Sequence, residues 1–302
     1  MKVNRIRQNV LPVLAAFIWG TAFVAQSVGA DYVEPFTFNA ARSVIAFLFL
    51  LILCLVRRKI QKGIVESATK SWKDLAIGGT CCGVALTVAT NLQQKGLETT
   101  TSGKAGFITA LYIVIVPILS IFLKKKAPRS IWLSVVLAVA GLYCLCITED
   151  FTITSSDFYI LLCALCFSVH ILVIDHFTQK VDGVELSCVQ FLVVTVLSAI
   201  GMLATESPSV EALRMCAWPI LYVGIFSSGV AYTLQILAQK DSNPTVVSLL
   251  LSLESVFATL AGAIILHDRM SGKEYLGCVL MLVAVVLAQL PEKAPKRAEN
   301  KI

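Results

Sequence analysis

The feature of this sequence that most constrains its fold is a series of ten apolar stretches, each long enough to cross a lipid bilayer. A membrane-spanning α-helix needs about 20 predominantly apolar residues. We therefore predict an all-α integral membrane protein with ten transmembrane helices, called here spans 1 to 10. The stretches lie near Val10 to Ala30, Pro35 to Val56, Leu75 to Gln94, Ala105 to Leu123, Ser130 to Thr148, Phe158 to Ile174, Leu186 to Thr205, Met215 to Gln239, Thr245 to Leu266 and Tyr275 to Leu290.

The composition agrees with a membrane protein. Hydrophobic residues make up 57% of the chain and charged residues 15%, whereas soluble proteins average about 25% charged residues. The connections between the spans are too short to form a soluble domain with its own core, so we expect function to lie within the bilayer. The first stretch is longer than the apolar core of a signal peptide and lacks a small-residue cleavage site, so we expect it to be retained.

The distribution of basic residues predicts the orientation. Cytoplasmic connections carry an excess of Lys and Arg. With both termini cytoplasmic, 19 of the 25 basic residues lie on the inner side and five on the outer side. The net charge of +6 is then an orientation signal, and we expect a multi-pass protein of the plasma membrane with no nucleic-acid partner.

The cysteines give no sign of a metal or redox site. All ten lie within or at the edge of apolar stretches and are expected to be small buried hydrophobic residues. Cys163 and Cys166 have the CxxC spacing, but no second pair lies at metal-ligand distance. We therefore expect no metal, and because the phosphate-binding pattern GxxxxGK[ST] is absent, we expect neither a cofactor nor direct drive by ATP.

The two halves of the chain are weakly similar to each other. A shift of 142 residues sets "LYIVIVPILSIFL" from Leu111 against "LESVFATLAGAII" from Leu253, and a shift of 145 sets "LQQK" from Leu92 against "LAQK" from Leu237. Five spans per half, an odd number, place the second half upside down relative to the first. We predict two inverted five-helix repeats, residues 1–149 and 150–291, followed by a basic cytoplasmic tail, residues 292–302.

The chain resembles the ten-helix EamA type of the drug/metabolite transporter superfamily. The resemblance rests on "FIWGTAF" in span 1, "AARSVIAFLFL" in span 2, "TTTSGKAGFITALYIVIVP" in span 4 and "LESVFATLAG" in span 9. It implies a doubled five-helix plan and export, commonly of amino acids or related metabolites. The sequence departs from the family at "KKKAPR" after span 4 and at Ser255, where a proline is common.

Polar side chains form one stripe on span 3 and another on span 8. They are Thr80, Thr87, Asn91 and Gln94 on span 3, and Ser228, Tyr232, Gln235 and Gln239 on span 8. Stripes that faced lipid would leave hydrogen-bonding groups unsatisfied, so they indicate either a central aqueous cavity or hydrogen bonds between helices. Together with residues of the motif segments, the candidate cavity residues are Trp19, Thr87, Asn91, Gln94, Tyr112, Ser228, Tyr232, Gln235 and Glu254.

Three ionisable residues lie within the spans, and we consider each as an intramembrane charge or proton-coupling candidate. Glu254 lies in the run "LLLSLESVFATLAG", where a carboxylate costs about 2.5 to 3.5 kcal/mol on insertion scales. Arg42 either extends to the interface, forms an ion pair with Glu254 or another group, or attracts an anionic substrate. His170 is either a packed, hydrogen-bonded residue or a group that titrates near neutral pH.

These observations favour a secondary transporter that moves a small metabolite, such as an amino acid, or an amphiphilic compound by alternating access. An intramembrane enzyme is disfavoured because the chain has only three histidines and no GxSxG pattern. A pore or sensor is disfavoured because channel filters are usually built from equivalent subunits or a ring of charge. The substrate, the coupling ion, with a proton as one candidate, and the choice between monomer and homodimer are left open.

The charge distribution makes a testable prediction about topology. A cysteine reporter placed at Asp150 should be labelled from outside the cell. A reporter at Lys125 should be labelled only after the membrane is permeabilised. Identical labelling at both positions would overturn the inverted-repeat arrangement.

Overall fold

The computed structural model of the protein describes residues 2–60, 71–100, 102–124, 129–146, 154–240, 242–265 and 271–289. Within these ranges all regular secondary structure is helical. The helices are α1 (Lys2–Ala30), α2 (Pro35–Ile60), α3 (Trp72–Leu97), α4 (Ser102–Ala110), α5 (Tyr112–Phe122), α6 (Arg129–Cys146), α7 (Ser155–Phe177), α8 (Gly183–Thr205), α9 (Val210–Met215), α10 (Ala217–Tyr222), a π-helical segment (Val223–Ala231), α11 (Tyr232–Gln239), α12 (Pro244–Leu251), α13 (Glu254–Ile265) and α14 (Gly272–Gln289).

Eight helical segments in the described part of the chain are long and apolar enough to cross a membrane. They coincide with predicted spans 1 to 4 and 6 to 9, so the prediction of an all-helical integral membrane protein is confirmed. At predicted spans 5 and 10 lie α6 and α14, of 18 residues each. That these two also cross the bilayer remains a prediction, and the basic tail lies outside the described residues.

Two of the spanning segments are interrupted near their middle. The segment formed by α4 and α5 breaks at Leu111, and the segment formed by α12 and α13 breaks at Ser252 and Leu253. At each break the backbone makes tight bonds to the third preceding residue, from Leu111 to Ile108 and from Leu253 to Leu250. Leu111 and Leu253 are the residues that the 142-residue shift aligns.

Several pairs of helices pack along much of their length. α6 packs against α14 through Gly141 and Gly277. A Cβ atom on Gly277 would lie 2.7 Å from the carbonyl oxygen of Gly141, so no larger residue fits there without movement. The second pair is α2 and α8, which run antiparallel, while α3 packs on α7 and α8, and α1 packs on α13 and α11.

Charged groups join α2 and α8 at the end where α8 begins. Arg57 donates to both carboxylate oxygens of Asp182, at 3.0 and 3.3 Å. Asp182 also caps α8 by accepting from the backbone N–H groups of Val184 and Glu185, at 2.9 and 3.1 Å. Burial raises the pKa of the Asp182 carboxyl, but the hydrogen bonds from Arg57 and the backbone outweigh it, so the pKa lies below its usual value.

We predict that Arg57→Ala lowers the free energy of unfolding by about 1–2 kcal/mol, because it removes a bidentate bond to a partly buried carboxylate. The more exposed Arg58, paired with Glu185, is the matched control, and Arg58→Ala should cost less than about 0.5 kcal/mol. Because the pKa of Asp182 is lower in the folded state, the effect of Arg57→Ala should be full at neutral pH and shrink as pH falls through that pKa. Thermal unfolding in detergent at several pH values measures both; equal effects of the two variants would contradict the prediction.

Candidate functional site

A small buried cavity of about 40 Å³ lies between the helices near the two helix breaks. It has room for one or two water molecules. Residues from both halves of the chain line it. Of the sequence candidates, those that line it are Trp19, Arg42, Tyr112, Tyr232, Gln235 and Glu254.

The cavity contains a hydrogen bond that joins the two broken segments. The Tyr112 hydroxyl donates to Oε1 of Glu254 at 3.1 Å, and both side chains are buried. Tyr112 is the first residue of α5 and Glu254 is the first residue of α13. The partial positive charge at a helix N-terminus favours a carboxylate in the first turn. The backbone N–H groups of Ser255 and Phe257 are already bonded to Ser252 and Leu253, so among the described residues the Tyr112 hydroxyl is the donor to this carboxylate.

Arg42 is the other charged residue of the cavity. Its side chain is buried, with 3% exposure, so it does not extend to the membrane interface. It donates to the side-chain oxygen of Gln26 at 3.0 Å and lies 5.8 Å from the centre of the Phe38 ring. Within the described residues Arg42 forms no ion pair, with Glu254 or with any other carboxylate. The cavity thus holds one basic and one acidic side chain that are not paired with each other.

Three candidates on α3 face neighbouring helices or a second cavity. Gln94 donates to the backbone oxygen of Gln26 at 3.0 Å. Asn91 donates to Ser198 at 3.3 Å and accepts from Asn39 at 3.0 Å, which is the interhelical alternative that the stripe left open. Thr87 and Asn91 both line a larger cavity at one end of the bundle.

His170 and Ser228 lie outside the central cavity. His170 is fully buried and its Nε2 lies 2.8 Å from the side-chain oxygen of Gln190. Its ring centre is 6.0 Å from that of Tyr232, so it packs directly behind the cavity wall. Ser228 is fully buried, and its neighbour Ser227 does line the cavity.

The sequence analysis missed several polar cavity residues: Gln26, Gln93, Thr109 and Ser227. Gln93 donates to the Thr109 hydroxyl at 3.3 Å. The stripe on span 3 selected Gln94, whereas its neighbour points about 100° away and into the cavity. The internal repeat gave no signal for Gln93, because the 145-residue shift sets it against Ala238. Within the described part of the chain, no cluster of three His, Cys, Asp or Glu side chains suits a metal ion.

Comparison with known proteins gives consistent findings. The profile of the EamA-like transporter family matches residues 8–147 and again residues 154–290. An uncharacterized transporter of Archaeoglobus fulgidus is 31% identical over 95% of this chain and 87% of its own length. A WAT1-related chloroplastic protein of Arabidopsis thaliana is 26% identical over 91% of this chain and 68% of its own length. A protein of known crystal structure has the same fold, with a TM-score of 0.77 at 19% identity over 93% of this chain and 96% of its own.

The bond between Tyr112 and Glu254 can be tested by removing the hydroxyl. Tyr112→Phe leaves Oε1 of Glu254 without this donor and should lower the free energy of unfolding by about 1–3 kcal/mol. Tyr143→Phe is the control, since Tyr143 is 51% exposed on α6 and should change stability little. Chemical unfolding of the two variants in detergent measures the difference. If Tyr112→Phe were as stable as Tyr143→Phe, the bond would not be an anchor of the site.

Proposed function

The chain belongs to the EamA-like transporter family, and we propose that it is a secondary transporter, working as an exporter, that moves a small zwitterionic metabolite such as an amino acid by alternating access. The observation that carries the substrate class is the presence of Arg42 and Glu254 in one small cavity without an ion pair between them. Family membership points to a transporter rather than an enzyme.

The charges of the cavity suit a molecule that carries both signs. Each charged side chain is held by a neutral partner, Arg42 by Gln26 and Glu254 by Tyr112. Such partners orient the charged groups but do not neutralise them, and an unpaired charge in a low-dielectric site is costly. A carboxylate bound to the guanidinium and an ammonium bound to the carboxylate would neutralise both. Aromatic walls from Trp19 and Tyr232, whose ring centres are 4.8 Å apart, would pack on the rest of the substrate.

Transport requires that the cavity change size. A space of about 40 Å³ is too small for an amino acid. Interrupted helices near the membrane midplane are a common feature of transporters in which two repeats move around a fixed site. The breaks at Leu111 and at Ser252–Leu253 border this cavity, so bending there is the expected way to widen it.

Pairs of equivalent contacts support two inverted five-helix repeats, 1–149 and 150–291. Gln94 donates to the backbone oxygen of Gln26, and Gln239 donates to the backbone oxygen of Ile171, so both bonds link residues 68 positions apart. The shift of 145 residues relates donor to donor and acceptor to acceptor. The double match of the family profile has the same division. With α6 and α14 as spans 5 and 10 the number of spans is even, so both termini lie on one side, and the excess of Lys and Arg supports our proposal that this is the cytoplasmic side of the plasma membrane.

Charge-reduced substrates test the zwitterion proposal. Arg42→Gln should weaken binding of the preferred amino acid about tenfold or more, because a charged hydrogen bond contributes about 1.5–3 kcal/mol. It should leave binding of the corresponding amine, which lacks the carboxylate, unchanged. Glu254→Gln should weaken binding of the amino acid and of the amine but should leave binding of the corresponding acid unchanged. Arg58→Gln, at the exposed end of the same helix as Arg42, is the control, and ligand-induced thermal shift measures binding.

Proteoliposome assays separate recognition from proton coupling at Glu254. If this carboxylate carries the coupling proton, Glu254→Gln should lose accumulation against a gradient but retain exchange. Wild-type uphill transport by Glu254→Gln with an unaltered substrate range would refute both roles. Equal binding of the amine, the acid and the amino acid by the wild-type protein would refute the zwitterion proposal.

A further inference from the structure

A second cavity, of about 560 Å³, lies at the end of the bundle where α2 begins and α3 and α8 end. We call it the end crevice. Its volume is within the range of about 300–1,000 Å³ that is typical of ligand sites. It extends along α3 from Thr87 to Glu98, which corresponds to about 16 Å of helix. Two of the sequence candidates, Thr87 and Asn91, line it, although the sequence analysis assigned them to a central cavity.

The end crevice is amphipathic. Its apolar wall includes Val88 and Leu92, and Val88 is 45% exposed on the part of α3 that spans the bilayer. Its rim carries Glu34, Glu98 and Glu206 but only one basic residue, Lys95. A site with an apolar wall and a charged rim suits a molecule with an apolar tail and a polar head.

At the two ends of the α2–α8 pair, the first backbone N–H groups of a helix are capped in different ways. At one end Asp182 caps the first backbone N–H groups of α8 and is neutralised by Arg57. At the end that borders the crevice, the first N–H groups of α2 are capped instead by Glu206, which reaches over from the end of α8. Its carboxylate accepts from the backbone N–H groups of Phe36 and Thr37, at 2.8 and 2.7 Å.

At this end the exposed Glu34 forms no direct ion pair among the described residues, although Lys95 attracts it at longer range. Glu34 precedes α2 as Asp182 precedes α8, yet among the described residues its carboxylate has neither a hydrogen bond nor an ion pair. The position on α8 that is equivalent to Arg57 of α2 lies 148 residues further along the chain and is Thr205. Lys95 is not a substitute, because it is paired with Glu98 at 2.6 Å. The crevice therefore has three carboxylates to one lysine, and no arginine of the described residues pairs with Glu34 as Arg57 pairs with Asp182.

We propose that the end crevice binds an amphiphile whose head is an ammonium or guanidinium group. The head lies beside Glu34, in the position that Arg57 takes at the opposite end, and the apolar tail lies along Val88 and Leu92. This site is separate from the central cavity and does not depend on the transport cycle proposed above.

Octylamine, octanol and octanoate form a matched series that tests the proposal, because they differ in head charge and share one tail. Purified protein in a neutral detergent should be stabilised saturably by octylamine, measured as the shift in thermal unfolding, and not by octanol or octanoate. Glu34→Gln should weaken octylamine binding about fivefold, the size expected for an exposed ion pair. Val88→Trp should fill the crevice and abolish binding, whereas Ile77→Trp, at a 44% exposed position of the same helix, should not.

A substitution that supplies the missing cation gives an independent test. Thr205→Arg should raise the thermal stability of the ligand-free protein and remove the response to octylamine, because the new guanidinium takes the place of the ligand head. Equal stabilisation by all three compounds, or octylamine binding that survives both Glu34→Gln and Val88→Trp, would overturn the proposal. Loss of octylamine binding in Glu254→Gln, with Glu34→Gln unaffected, would place the amine in the central cavity and would also overturn it, without touching the zwitterion proposal.

Discussion

The hydrogen bond from Tyr112 to Glu254 joins the beginnings of two half-helices in the interior of the protein, and the central cavity is arranged around it. A carboxylate in the bilayer costs about 2.5–3.5 kcal/mol on insertion scales. A neutral donor and the first turn of α13 both offset that cost. The interruption of span 9 puts Glu254 at the first position of α13, and the Tyr112 hydroxyl reaches its carboxylate from the other interrupted span. The matching interruption of span 4 brings the donor to the same place.

The other helix contacts are of a different kind. α2 and α8 are joined at both ends by carboxylates, and α6 and α14 approach through glycines that leave no space between them. Neither pair includes an interrupted segment. The breaks lie where α5 and α13 meet the cavity, so the irregular backbone of both segments borders the proposed substrate site. Any motion that widens the cavity is therefore expected at α4–α5 and α12–α13.

Hydropathy and segment length were sufficient to predict the helical membrane fold, because every spanning segment has to satisfy its own backbone in the bilayer. Charge and motif position selected Arg42, Tyr112 and Glu254 as cavity candidates, and all three line the central cavity. That they bind substrate stays a prediction. The polar stripe on span 3 was a poorer predictor of the residues that line the central cavity. Periodicity shows which residues share a helix face, but it does not show what that face meets. Asn91 therefore meets a neighbouring helix, while Gln93, outside the stripe, reaches the cavity.

In the proposed repeat register the two halves share a backbone plan but not their charges. A shift of 148 residues sets Arg42 against Gln190, which contacts His170 where Arg42 contacts Gln26. The same shift sets Arg57 against Thr205 and Asp182 against Glu34. Two identical inverted repeats would present the same energies to a solute from either side of the membrane. In the proposed transporter these substitutions break that equivalence, because Arg42 of the first half stands against the neutral Gln190 of the second. Differences in side-chain charge thus make the two directions chemically distinct while the shared backbone plan is kept.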